Sequence, residues 1–306
     1  MAREGDGAFK PSAREVALLA RKGCREEGRG GMNGRVSRPS RQSVGPSPPG
    51  GRDRPPGGAK VLRAGDHARF DVARRERTGL PEIVLAEGKS DRDLERLIRG
   101  LDELPETILI SRLTETQRGL IHTLRAEGLA LRELPGSGLA ILHPGVGEPP
   151  LRGTTAALIT AGTADARVAA EVEGVLKAWG ARIVRADDVG VAGLHRLLRA
   201  LPALREANPG VYLVCAGREG ALAPVVAGLV DRPVLGIPTS QGYGRGGRGE
   251  AALLTMLQSC APLAVVNIDG GVPAAVVAAQ ILRAGSRRGV PGPGSGRSRR
   301  RRTRSA

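Results

Sequence analysis

The sequence predicts an α/β protein in which a doubly wound parallel sheet follows a smaller α/β domain. Three observations carry this expectation. Between residues 156 and 283, five apolar or β-branched runs alternate with five helical patterns, and strands that read as continuous apolar runs are those buried on both faces. Each run ends in a turn that pairs Gly with a carboxylate, hydroxyl or amide. The charge is segregated as well. Of the formal net +16, residues 1–60 supply 13 basic and 6 acidic side chains, and residues 282–306 nine Arg and no acid. The stretch between them carries 25 basic and 25 acidic residues. A neutral centre argues against a folded nucleic-acid-binding face, which needs a concentrated basic surface; no specific nucleic acid partner is expected.

Composition divides the chain into four segments. Residues 1–60 are rich in Gly, Pro, Ser and Arg and bury too little apolar surface to offset their ordering entropy. They read as a disordered arm with one short amphipathic helix at 13–22, and Met32 within it is an alternative translation start. Residues 61–150 read as the small α/β domain. Its elements are a charged, exposed helix at 67–78 closed by Gly79, a strand at 82–87, and a helix that Ser90 and Asp93 cap and that reaches residue 104. A strand at 107–113, a helix at 115–127 and one or two strands within 129–142 complete it, and the Gly- and Pro-rich stretch 145–153 is the linker. Residues 151–284 form the larger domain, with strands at 156–160, 182–186, 211–216, 234–238 and 263–268 and helices at 166–179, 192–204, 220–229, 250–258 and 274–283. Residues 285–306, with the run Arg299 to Arg302, read as a disordered tail.

In open α/β sheets ligands bind outside the carboxyl ends of the strands, which selects five loops. They contribute Gly162, Thr163 and Asp165; Asp188, Gly190, Gly193 and His195; Gly217 and Glu219; Thr239, Ser240, Gly242, Tyr243 and Gly244; and Asn267 and Asp269. Glycines let backbone N–H groups approach a ligand, and the helix N-termini that follow favour anions such as phosphates. Carboxylates gathered there serve as general bases or hold a divalent metal. The convergence points to a nucleotide or phosphate site. Each loop also has a plainer reading. Glycines turn the chain, Asp165 or Glu219 caps the next helix, His195 is a helix-face residue rather than a base, and Tyr243 lies on the surface. The Gly-Arg run at 244–249 is either an anion-binding loop or a flexible turn.

Cys24, Cys215 and Cys260 have no metal-ligand spacing and cannot all pair, so free thiols and a cytoplasmic location are expected. Cys215 is mid-strand and reads as core, and Cys24 lies on the arm. Cys260 follows the apolar helix and would by itself read as a buried small hydrophobe, although it sits at the helix end. No apolar signal segment follows the first residues, and no run approaches the roughly 20 apolar residues of a membrane span.

The motifs D-D-V-G-V-A-G-L-H-R-L-L (187–198), A-G-R-E-G-A-L (216–222), P-T-S-Q-G-Y-G (238–244), A-A-L-L-T-M-L-Q-S-C-A-P (251–262) and V-V-N-I-D-G-G (265–271) resemble the LarB family, as does F-D-V-A-R-R-E-R-T-G-L-P-E-I-V-L-A-E-G-K-S (70–90). The resemblance covers about residues 65–284. The chain departs from the family pattern at Ala164 (usually Ser), Arg167 (usually Pro), Arg218 (commonly Met), Ala223-Pro224 (usually Pro-Ser) and in the loop after Tyr243. LarB proteins resemble aminoimidazole ribonucleotide (AIR) carboxylases, which implies a flavodoxin-like domain and an octameric homo-oligomer. The resemblance further implies carboxylation of the pyridinium ring of nicotinic acid adenine dinucleotide and hydrolysis of its phosphoanhydride, giving pyridinium-3,5-biscarboxylic acid mononucleotide and AMP. Carbon dioxide or bicarbonate is then the co-substrate, with Mg2+ expected alongside. A pyridinium is too electron-poor to attack carbon dioxide, so the resemblance gives Cys260 the role of a nucleophile that makes the ring an enamine. Glu219 is then the base and Asp188 its support or a metal ligand. The alternatives are an AIR carboxylase or mutase of purine synthesis, which needs no thiol, and a non-enzymatic nucleotide-binding protein.

Overall fold

The computed structural model describes residues 61–64 and 68–287; the arm at 1–60, with its candidate helix, Cys24 and Met32, lies outside them, as does the tail from 288. The described chain begins as an antiparallel pair, Val61–Ala64 (β1) and Ala68–Asp71 (β2), followed by the short helix Arg74–Thr78 (α1). This corrects the single helix expected over 67–78. An extended backbone points alternate side chains to opposite faces, and the strand lets Phe70 bury itself in a core cluster that an exposed helix would have left unfilled. Gly79, at φ 78°, closes α1 in the left-handed conformation.

A four-stranded mixed sheet follows, built from Ile83–Leu85 (β3), Asp91–Leu101 (α2), Ile108–Ser111 (β4), Glu115–Ala126 (α3), Leu131–Leu134 (β5) and Leu139–Leu142 (β6) in the order β3-β4-β6-β5. Ser90 caps α2 by accepting the Asp93 N–H at 3.1 Å, and Thr114 with Gln117 forms a reciprocal capping box on α3. Helix α2 stops at Leu101 rather than at residue 104, since Pro105 disfavours helical backbone at the residue before it. Both helices cover one face of the sheet, where Leu94, Ile98, Ile110 and Ile121 are buried together.

The larger sheet comprises Thr155–Thr160 (β7), Ala166–Ala178 (α4), Arg182–Ala186 (β8), Leu194–Glu206 (α5), Tyr212–Ala216 (β9), Leu222–Ala227 (α6), Val234–Pro238 (β10), Glu250–Leu257 (α7), Ala264–Val265 (β11) and Gly271–Arg287 (α8). All neighbouring strands are parallel in the order β8-β7-β9-β10-β11. Numbered from its own first strand this is 2-1-3-4-5, the flavodoxin-like order. Helices α4 and α8 pack on one face, and α5, α6 and α7 on the other.

Several boundaries differ from expectation by one or two residues, as with helix α5 at 194–206 rather than 192–204, and three call for comment. Helix α6 begins at Leu222, because Gly220 sits at φ 67°, outside helical backbone. Strand β11 is two residues rather than the six of 263–268, as befits an edge strand with a neighbour on one side only. Helix α8 runs on to Arg287, so residues 285–287 belong to it and not to the tail.

The second face of the small sheet lies on α4. Leu109, Leu139 and Ile141 share a core cluster with Val172, Leu176 and Trp179. Gly174 makes that approach feasible: a Cβ there would stand 2.7 Å from Leu139 Cδ1 and 3.0 Å from Leu134 Cδ1, closer than packed carbon atoms settle.

Candidate functional site

With all five strands parallel, the loops after β7, β8, β9, β10 and β11 emerge at one edge of the sheet. Four of them, those after β7, β8, β9 and β10, contribute to a cavity of about 210 Å³. Five of the residues expected at the site line it, namely Gly162, Asp165, Gly190, Gly217 and Glu219, together with Arg196, Arg218 and Gln241. Apolar contributions from Val191 and Leu222 complete the wall, the mixture of an apolar body and few polar groups that suits an organic ligand.

Asp165 anchors this edge. It is 3% exposed and accepts hydrogen bonds from the Thr239 hydroxyl at 2.6 Å and the Gly162 N–H at 2.9 Å. It thereby ties the loop after β7 to the loop after β10. Burial pushes its carboxyl above the usual range, and the Thr239 and Gly162 donors offset part of that rise. Glu219 is exposed at the cavity rim, on the loop between β9 and α6. Gly217 is required there by the neighbouring chain rather than by a ligand alone. A Cβ would fall on the Gln241 carbonyl oxygen, which accepts the Arg218 N–H at 2.9 Å.

Backbone strain collects at the same edge. Asp188, Arg218 and Asp269, one after each of three strands, have φ of 55°, 49° and 53°. Left-handed backbone costs a non-glycine residue free energy, Arg more than Asp, and such residues persist where surroundings over-determine them. Asp188 is held by Arg196 Nη1 on Oδ2 at 2.6 Å and by its own N–H on the Thr160 hydroxyl at 3.1 Å. Asp269 accepts the Ser240 N–H at 3.0 Å and lies 3.6 Å from the Arg167 guanidinium. Arg112 of the small sheet reaches the Asp269 carbonyl at 3.1 Å. The Arg218 guanidinium lies 4.5 Å from the centroid of the Tyr243 ring, so one face of that largely exposed ring is already occupied.

The remaining expected residues are spread along this edge without lining the cavity. Thr163 is in the short turn before α4, Gly193 in the turn before α5, and His195 exposed on the first turn of α5. Gly242 and Gly244 flank Tyr243 in an exposed loop. Asn267 Oδ1 accepts the Ile268 N–H in the turn after β11. Arg196 and Gln241 were not singled out from the sequence. Arg196 had a signal there, being next to His195 on the first turn of α5.

Cys260 stands apart from all of these. Helix α7 carries the chain from the carboxyl edge back to the amino edge, and Cys260 lies between its end and the start of β11. The register Leu235↔Ala264 fixes β11 beside the beginning of β10. Within one chain, Cys260 and Glu219 are thus separated by roughly the length of a strand, about 3.3 Å for each residue. Cys260 is exposed, against the buried reading of its residue type. Cys215 is buried in β9 as expected, and burial drives its thiol far above the ordinary range.

Among the described residues no three His, Cys, Asp or Glu side chains converge to hold a metal ion. The Asp188 carboxylate is engaged by Arg196. No helix among the described residues is long and apolar enough to cross a membrane.

Comparison with known proteins accounts for this arrangement. A family model described as AIR carboxylase matches residues 155–289, and one described as LarB/PurE-like N-terminal domain matches residues 62–128. The uncharacterized protein MJ0165 of Methanocaldococcus jannaschii is 36% identical over 223 residues, 71% of this chain and 85% of that one. The N5-carboxyaminoimidazole ribonucleotide mutase of the same organism is 30% identical over 128 residues, 41% of this chain and 76% of that one. The crystal structure of a Treponema denticola PurE2 variant aligns with 44% of this chain and 91% of its own at 18% identity and a TM-score of 0.33. The family match supports a carboxylase-type function with nucleotide-related chemistry. The chain belongs to the LarB family within the AIR carboxylase superfamily. Two positions at which it departs from the family pattern, Ala164 and Arg218, line the cavity.

Proposed function

We propose that the protein carboxylates the pyridinium ring of nicotinic acid adenine dinucleotide and hydrolyses its phosphoanhydride. The products are pyridinium-3,5-biscarboxylic acid mononucleotide and AMP, and the reaction opens nickel-pincer nucleotide synthesis. The observation that carries this reading is an exposed thiol, Cys260, in a family of AIR carboxylase type whose AIR-directed chemistry has no use for one. The Cys260 thiolate adds to the ring carbon next to the one to be carboxylated, and the ring electrons become an enamine. The enamine carbon attacks carbon dioxide, and a base, assigned to Glu219, takes the proton from that carbon. Expulsion of the thiolate restores the aromatic ring. One carbon–carbon bond is gained, one proton is released, and no oxidant is consumed. Water cleaves the phosphoanhydride. Magnesium, where needed, enters on the substrate's phosphates rather than in a protein-built site.

The separation of Cys260 from Glu219 within one chain means that this chemistry needs a second copy, whose Cys260 approaches the first copy's cavity. Helix α7 supports that arrangement: Leu254 and Leu257, just before Cys260, are 56% and 61% exposed. A helix that is apolar on all sides is one that becomes covered. The test is incubation of the protein with nicotinic acid adenine dinucleotide and bicarbonate, with and without magnesium, followed by mass spectrometry. AMP and a dicarboxylated pyridinium mononucleotide, both lost in Cys260→Ala, are expected. AMP alone would reduce the protein to a hydrolase. No product, together with rescue of a purine auxotroph, would replace this reading by AIR carboxylation.

A further inference from the structure

A second cavity, of about 260 Å³, opens between the small sheet and the amino edge of the larger one. It shares no residue with the cavity at the carboxyl edge. Three cationic side chains from three elements border it: Arg75 of α1, Arg132 of β5 and Lys177 of α4. Glu148 contributes the only carboxylate of the wall, and the Arg75 guanidinium donates to the Glu148 carbonyl rather than pairing with that carboxylate. Lys177 pairs with Glu173 at 2.6 Å. Arg132 is exposed and has no ion-pair partner among the described residues.

The rest of the wall includes Pro81, Pro149 and Trp179 together with Thr107 and the glycines at 145, 147 and 180. Trp179 is 1% exposed, and its indole N–H has no acceptor among the described residues. A buried donor without an acceptor costs free energy. The cavity thus offers three cationic side chains against one carboxylate, beside two prolines. Arg in particular suits the planar, two-oxygen geometry of a carboxylate or phosphate.

We propose that this cavity binds a small organic anion, a phosphate ester or a carboxylate, whose charged end meets Arg132 with Arg75 and Lys177 and whose apolar body lies against Pro81 and Pro149, with the buried Trp179 part of the wall. The site is independent of the carboxylation reaction and stands or falls without it.

Trp179 is the only tryptophan of the chain, so intrinsic fluorescence of the full-length protein reads this cavity directly. Titration with AMP and with benzoate separates the two ligand chemistries, and inorganic phosphate tests the charge alone. Saturable change with AMP or benzoate is expected, tighter than with phosphate. In Arg132→Ala the Kd rises about tenfold or more, the loss of one charge-assisted hydrogen bond, and Arg132→Lys recovers part of it. AMP held at the carboxyl-edge cavity instead would leave the Arg132→Ala titration unchanged. An unchanged midpoint in that variant, no saturable signal from any probe, or phosphate binding as tightly as the organic anions would each overturn the proposal.

Discussion

The two edges of the larger sheet differ in how they treat reactive groups. At the carboxyl edge, Asp165 is buried and doubly hydrogen-bonded, left-handed residues are pinned by ion pairs and backbone bonds, and the loops brace one another. At the amino edge, Cys260 is exposed beside two uncovered leucines of α7. One edge is pre-organised within the chain; the other is complete only when something covers it. A fold that brings every strand end to one side leaves a thiol on the return path to act on another molecule.

The comparison can be broken most decisively through activity. Cys260→Ser and Glu219→Gln are each expected to lower kcat at least about 10²-fold with unchanged thermal unfolding, since both side chains are exposed. Co-assembled in equal amounts, the two inactive variants should restore roughly a quarter of the sites if each site draws its thiol and carboxylate from different copies. Mixed assemblies with no recovered turnover would refute the split. Gly217→Ala tests the bracing of the carboxyl edge. Its Cβ would collide with main chain at Gln241, so a loss of about 1–3 kcal/mol in urea unfolding is expected. An unchanged midpoint would mean that the loops are not mutually fixed.

Gly174→Ala should cost less. The new methyl crowds the movable ends of Leu139 and Leu134, and the gain of about 1 kcal/mol in helix propensity opposes that strain. A small net destabilisation, below that of Gly217→Ala, is the expected reading. The smallest effect concerns Glu171, buried on α4 against the start of α8. Burial raises its carboxyl, and the Arg112 charge offsets this only in part. A raised carboxylate favours folding while protonated and costs stability once pH rises through its folded value. Glu171→Gln should therefore stabilise the protein near neutrality, with the difference fading as pH falls below the carboxylate range. A difference that grows in acid would reverse the sign.

Much of this was legible in the sequence because its signals were local. The β-α alternation, the Ser90 cap and the left-handed stop at Gly79 each depend on residues within a turn of one another. The strand at 68–71 was not legible, since its Arg and Asp match an exposed helix and only the distant core that receives Phe70 decides otherwise. The loops at the carboxyl edge followed from strand direction. Which of their residues face one cavity did not, because Arg196 reaches it from the first turn of α5 and Gln241 from the loop after β10, neither of which spacing alone reveals. The position of Cys260 was implicit in chain order: a residue after a helix and before a parallel strand belongs to the amino edge.

Strand β11 has one further consequence. It meets β10 over two residue pairs, and beyond them the backbone ties are the Val266 N–H on Gly236 and the Asp269 N–H on Pro238, with the Asp269 side chain held by the Ser240 N–H. Amides from 264 to 269 should then exchange with solvent deuterium sooner than those of β9 or β7, which are flanked on both sides. The corner that carries Asp269 and receives Arg112 is the least protected part of the sheet, and a ligand seated there would announce itself first as slowed isotope uptake in that hexapeptide.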